Sequence, residues 1–131
     1  MSRRKAREAA FKVLFQVEQA NAEPDKALLR TVDEYPLAEK DQRFTQELIG
    51  GTLEHICIID QRIAEYSKEW SLQRMSSVDR NIMRIACYEI LFYDDSQPVV
   101  AINEAIEMAK RYGDENSPSF VNAILDRIKN K

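Results

Sequence analysis

Residues 101–113 read AINEAIEMAKRYG, and residues 114–126 continue DENSPSFVNAILD. In the first stretch Ile102, Ala105, Ile106, Ala109 and Tyr112 recur every three or four positions. That spacing puts them on one side of a helix over about 99–112. Glu104 and Glu107 sit near Lys110 and Arg111, which predicts ordinary exposed helix charge pairs. Gly113 predicts a left-handed stop. Ser117-Pro118 reads as an N-cap followed by a proline at the first helical position. A last helix to about residue 129 then buries Val121, Ile124, Leu125 and Ile128, with Phe120 on the flank of that stripe. Two amphipathic helices around a short turn set a helical fold class.

The same pattern extends toward the N-terminus. A helix over about 78–93 carries the stripe Val78, Ile82, Ile85, Ala86, Phe92 and Tyr93, with Glu89 in its middle; a carboxylate there calls for a partner. Residues of about 41–66 form one long helix or two, with Asp41 as the candidate cap. Gly50 and Gly51 each cost about 1 kcal/mol relative to Ala in a helix, so a close helix crossing or a break is expected there. Trp70 to Ser77 reads as a connector. A short helix of about 25–34 is stopped by Pro36. The first helix, about 3–20, sets Ala6, Ala10, Val13, Leu14 and Val17 on its main face and ends at Asn21 and Pro24. There is no repeat and no low-complexity segment. The expectation is an all-α fold of about seven helices.

Composition agrees. The chain has 131 residues, 44% hydrophobic and 31% charged, with only 3 Gly and 4 Pro. A chain of this length buries about two-thirds of its unfolded surface, so it needs no disulfide or metal. Cys57 and Cys87 lie in apolar stretches and read as reduced structural thiols of a cytoplasmic protein. His55 stands without a metal-type or nucleophile spacing and reads as structural. No apolar run approaches about 18 residues, so no membrane span is expected. The N-terminus is basic and amphipathic, but Glu8 and Glu18 argue against a transit peptide. No Walker loop, GxGxxG, HExxH or GxSxG is present, so neither an enzyme nor a cofactor is expected.

The net charge of −3 conceals an asymmetry. Arg3, Arg4, Lys5, Arg7 and Lys12 stand against Glu8 alone, a local +4. A basic arm on an acidic body marks a site for a polyanion. Cations at a helix start oppose the macrodipole, and the free N–H groups there also favour phosphate. Phe11 and Phe15 share a face with Arg4, away from the main stripe; they either stack on bases, face a partner, or are buried because the helix is covered on two sides. Phe120, beside Asn116, Ser117, Ser119 and Asn122, either stacks an unpaired base or joins the core. Glu89, Asn103 and Asn122 are expected to be semi-buried in a structural hydrogen-bond network rather than a catalytic cluster.

The chain resembles the NusB family of bacterial transcription antitermination factors. The strongest match is Ala-Ile-Asn-Glu-Ala-Ile-Glu-Met-Ala-Lys-Arg-Tyr-Gly at 101–113, followed by Phe120-Val121-Asn122 and Ile124-Leu125-Asp126. A second block runs from Val78-Asp79-Arg80 through Arg84-Ile85-Ala86 to Tyr88-Glu89, and a third from Arg3-Arg4-Lys5-Ala6-Arg7-Glu8 to Leu14-Phe15. Ala123 stands where the family usually has Gly. The resemblance implies two packed helical bundles, about 1–70 and 71–131. It also implies binding of the boxA element of nascent single-stranded RNA together with the ribosomal protein NusE. The pair would join other Nus factors on RNA polymerase and suppress premature termination, notably in ribosomal RNA operons, with no cofactor. By position, Arg3, Arg4, Lys5 and Arg7 match the family's RNA-binding start. Lys110, Asn116 and Phe120 are placed with them. Phe15 and Asp79 fall where the family meets NusE. Two alternatives stand beside this reading: a NusB-like fragment of a ribosomal RNA cytosine methyltransferase, for whose catalytic domain a chain ending at Lys131 leaves no room, and a protein-only helical scaffold. Pairing of two copies through the first helix also stays open.

Overall fold

Asn21, at a left-handed φ of 53°, closes the first helix, α1 (Ser2–Ala20), in the computed structural model, which describes residues 2–130. Asn tolerates that conformation better than other residues with a side chain. Pro24 opens α2 (Pro24–Glu34), where a missing N–H goes unnoticed. The next helix, α3 (Glu39–Glu54), begins at Ala38 with no side-chain cap. Asp41, the expected cap, instead lies buried inside its first turn, near the positive end of the helix dipole.

Two helices, not one, cover the segment after Asp41. The break comes at His55, ahead of α4 (Ile56–Tyr66), and not at the glycine pair. The His55 ring stacks on Phe92, with centroids 4.0 Å apart. Gly51 is the close crossing: a Cβ there would lie 2.2 Å from the Tyr88 ring, whereas one at Gly50 would meet nothing within 4 Å.

After the connector 67–76, Ser76 caps α5 (Ser77–Phe92) by accepting the Asp79 N–H at 3.0 Å. Then come α6 (Pro98–Tyr112) and α7 (Ser117–Lys129). Gly113 is extended (φ −95°, ψ −169°), not left-handed. Space is what a side chain there lacks, since a Cβ would sit 2.3 Å from Ser117 Oγ. The α7 cap also differs from expectation. Asn116 holds the cap position, Asp114 Oδ1 accepts the N–H groups of Asn116 and Ser117 (2.8 and 3.1 Å), and Ser117 Oγ accepts that of Asp114 (3.0 Å). The turn is locked by two side chains working reciprocally.

Helix α5 is the centre. Nine of its residues are buried, and α1, α3, α4, α6 and α7 all pack on it. The α1 helix also lies against α2 and α3, while α4 lies against α5 and α7. Buried apolar residues from all of these helices, with Ala27 from α2 and Met75 from the connector, form one continuous cluster, in which Leu48, Ile63, Ile82, Ile85 and Leu125 are fully enclosed. Each such side chain contributes about 1.5–3 kcal/mol of transfer free energy. Phe11 belongs to this core, whereas Phe15 is half-buried. Cys87 is enclosed, and burial pushes its thiol up to about 12; Cys57 is exposed on α4. Of the three polar residues expected to be semi-buried, only Glu89 is; Asn103 and Asn122 are exposed.

Candidate nucleic-acid interface

The basic start of α1 is folded onto the body. Arg7 is 7% exposed and meets Glu89 of α5 through two parallel bonds, Nε at 2.8 Å and Nη2 at 2.9 Å. Burial works against the Arg7 charge, but Glu89 more than offsets it and the pKa stays raised. Arg4 makes the same fork on Glu104 of α6, at 2.9 and 3.0 Å. So Glu104 pairs across helices and not with Arg111 on its own. Arg111 reaches Glu8, whose other oxygen accepts from Tyr35. The Arg3 guanidinium lies 3.9 Å from the Phe44 ring centre, and Lys5 is exposed 5.9 Å from that of Tyr35. Among the described residues, Arg3 and Lys5 therefore have no carboxylate partner, while Arg4 and Arg7 do.

A groove of about 1190 Å³ runs between the α4–α5 connector, the start of α5, the α6–α7 cap turn and α7. It exceeds the roughly 300–1,000 Å³ of a small-molecule cleft. Asn116, Phe120 and Asp79 line it, so three of the predicted residues come together here. Phe120 is half-buried, and Asn116 is exposed. Asp79 is 8% exposed, and among the described residues its Oδ1 has no hydrogen-bond partner. Burial pushes its carboxyl above the usual Asp range, and Asp114 adds to this, while the hydroxyls of Ser117 and Ser76 pull back. Lys110 lies outside the groove, exposed on α6 and 3.4 Å from Glu107.

Phe15 lines a different cleft, of about 350 Å³, with Phe11, Tyr35, Tyr112 and Val78. Asp79 does not share it. Yet Val78 and Asp79 are neighbours, so the start of α5 touches the cleft with one residue and the groove with the next.

The NusB family model matches residues 4–130. The chain belongs to the NusB family. The transcription antitermination protein NusB of Syntrophomonas wolfei is 66% identical over 98% of this chain and 96% of that relative. Its counterpart in Pelotomaculum thermopropionicum is 50% identical over 98% and 89%. The solved NusB structure from T. maritima shares 45% identity and superposes with a TM-score of 0.92, covering 100% of this chain and 92% of that one. A crystal structure of the antitermination factors NusB and NusE in complex with dsRNA superposes with a TM-score of 0.91 at 26% identity, covering 98% and 96%. The seven-helix order described above is thus a NusB fold.

Four groove residues escape a sequence reading: Lys68, Trp70, Arg74 and Arg127. The one signal was a tryptophan inside a polar connector, outside every apolar stripe. No helix among the described residues is long and apolar enough to cross a membrane, and no cluster of His, Cys, Asp or Glu among them is arranged to hold a metal ion.

Proposed function

We propose that this NusB-family chain is a transcription antitermination factor that binds boxA RNA of nascent transcripts together with the ribosomal protein NusE, and so promotes read-through of ribosomal RNA operons with other Nus factors and RNA polymerase. The observation that carries this reading is whole-length likeness: 66% identity over 98% of the chain to a protein of that name.

The geometry supports a division of labour. Phe120 stacks an unpaired base and Asn116 meets a base edge, as single-stranded RNA requires. Arg3 and Lys5 neutralise phosphates. Arg4 and Lys110 do so by exchanging a carboxylate partner, Glu104 or Glu107, for a phosphate. Arg7 is a positioning residue, since both of its bonding nitrogens are held by Glu89 and it fixes α1 on α5. The Phe15 cleft receives NusE. Asp79, one residue from Val78 of that cleft, stands at the seam between RNA and NusE, which gives the two ligands a shared element through which each favours the other.

Fluorescence anisotropy of a boxA-like RNA against a scrambled RNA, with NusE present and across a salt series, tests the reading. Tighter binding of the boxA-like RNA is expected, with log affinity falling by about 0.7 per phosphate contact for each tenfold rise in salt. Equal binding of both RNAs would refute boxA recognition, and no binding of either would leave a protein-only scaffold.

A further inference from the structure

The groove has three aromatic residues, Tyr66, Trp70 and Phe120, and Trp70 has no assigned role. Trp70 is 49% exposed, although tryptophan is highly buried on average. It sits on a fixed support. Within the connector, Trp70 N–H donates to Ser67 O at 2.9 Å, and Arg74 and Met75 N–H donate to Ser71 O at 3.0 Å. Arg80, itself held by Glu18, donates to Met75 O at 2.9 Å and also to Leu72 O. An exposed ring on a hydrogen-bonded support is a platform ordered in advance, which lowers the entropic cost of stacking.

The charges around it suit a nucleic acid strand. Lys68, Arg74 and Arg127 line the groove, and among the described residues none of them has a carboxylate partner. Of the groove's four carboxylates, Asp114 is held by the backbone N–H groups of α7 and Glu65 lies 3.7 Å from Arg62. Glu69 and Asp79 remain. The unpartnered Oδ1 of Asp79 suits the N–H donor of a base and repels a phosphate. Aromatic faces interleaved with cations, in a groove larger than a typical small-molecule cleft, suit a single-strand binding surface.

We propose that Trp70 is a second stacking platform in this groove, taking an unpaired nucleobase beside the one on Phe120, with Lys68 and Arg74 neutralising the phosphates between them. The inference rests on the RNA-binding reading above and extends it to the α4–α5 connector. Stacking on Trp70 adds affinity without base choice, because every base has a π face.

Trp70 is the chain's sole tryptophan, so its emission reports the event directly. The complex with NusE is titrated with boxA-like RNA, reading anisotropy and tryptophan emission together, with the Trp70→Phe complex as the emission blank. Saturable quenching along the anisotropy curve is expected. Trp70→Leu should weaken binding about 5- to 150-fold, by the same factor for boxA-like and scrambled RNA. Unmoved emission while anisotropy saturates, or wild-type affinity in Trp70→Leu, would overturn the inference and leave the RNA reading standing. Absence of RNA binding by the wild-type complex would overturn the RNA reading and this inference with it.

Discussion

Replacing Glu89 by Leu strands a charge. Arg7 is 7% exposed and Glu89 4%, and the two share bonds of 2.8 and 2.9 Å. Removing one partner of such a pair costs about 3–5 kcal/mol, because the remaining ion stays buried without compensation. Against a typical stability of about 5–15 kcal/mol, that is a large fraction. In a chain of this size it lowers Tm by about 10–20 °C. Replacing both partners, as in the double variant Arg7→Met with Glu89→Leu, removes the charge problem altogether and should return stability to within about 1 kcal/mol of wild type. Urea unfolding of wild type, both single variants and the double variant measures the cycle. The functional reading follows from the same proteins. If Arg7 positions α1 and touches no phosphate, the double variant keeps RNA affinity within about twofold. A loss below about 1 kcal/mol in Glu89→Leu, or additive losses in the double variant, would refute the pairing argument.

Three further outcomes follow from the packing and the charges. Gly51→Ala should destabilise the fold by about 1–3 kcal/mol through collision with Tyr88, while Gly50→Ala, with open space around it, should stabilise it by up to about 1 kcal/mol; equal thermal shifts in the two would contradict the close crossing. Glu18 accepts from Arg80, Arg84, Ser77 and Asn81, and although burial opposes it these partners lower its pKa from 4.5 to about 2. A lowered carboxyl stabilises the fold above its unfolded pKa, and that contribution disappears as pH falls from about 4.5 toward 2. The full shift is worth about 3 kcal/mol; with the side chain 23% exposed, screening lowers this to about 1–2 kcal/mol. The stability gap between wild type and Glu18→Gln should therefore narrow over that range, and a gap constant from pH 6 to 2.5 would contradict the assignment.

Much of the fold was legible because helix signals are local. The 101–126 stretch carried its periodicity, its turn and its proline in one window, and the helices lie where that reading put them to within about two residues. Glu89 announced itself as a carboxylate in an apolar stripe. Its partner did not, because Arg7 lies far away in sequence and resembled the exposed cations beside it. The same distance hid the Arg4–Glu104 fork, so the basic arm looked freer than it is. Asn103 and Asn122 were misplaced because side-chain burial depends on which neighbouring helix arrives, which no window shows. Gly113 and the α7 cap went wrong at the level of the turn: Asp114 and Ser117 supply a reciprocal lock that makes a left-handed glycine unnecessary. Trp70, Arg74 and Arg127 escaped because they meet only once α7 packs beside the connector.

The most direct test of the account is the affinity of this chain for boxA-like RNA with and without NusE. The proposed seam at Val78 and Asp79 predicts that saturating NusE tightens RNA binding by about 5- to 150-fold, the range of an ordinary coupling energy, and that saturating RNA tightens NusE binding by the same factor. Identical RNA affinity in the two conditions would contradict a joint RNA–NusE function for this chain.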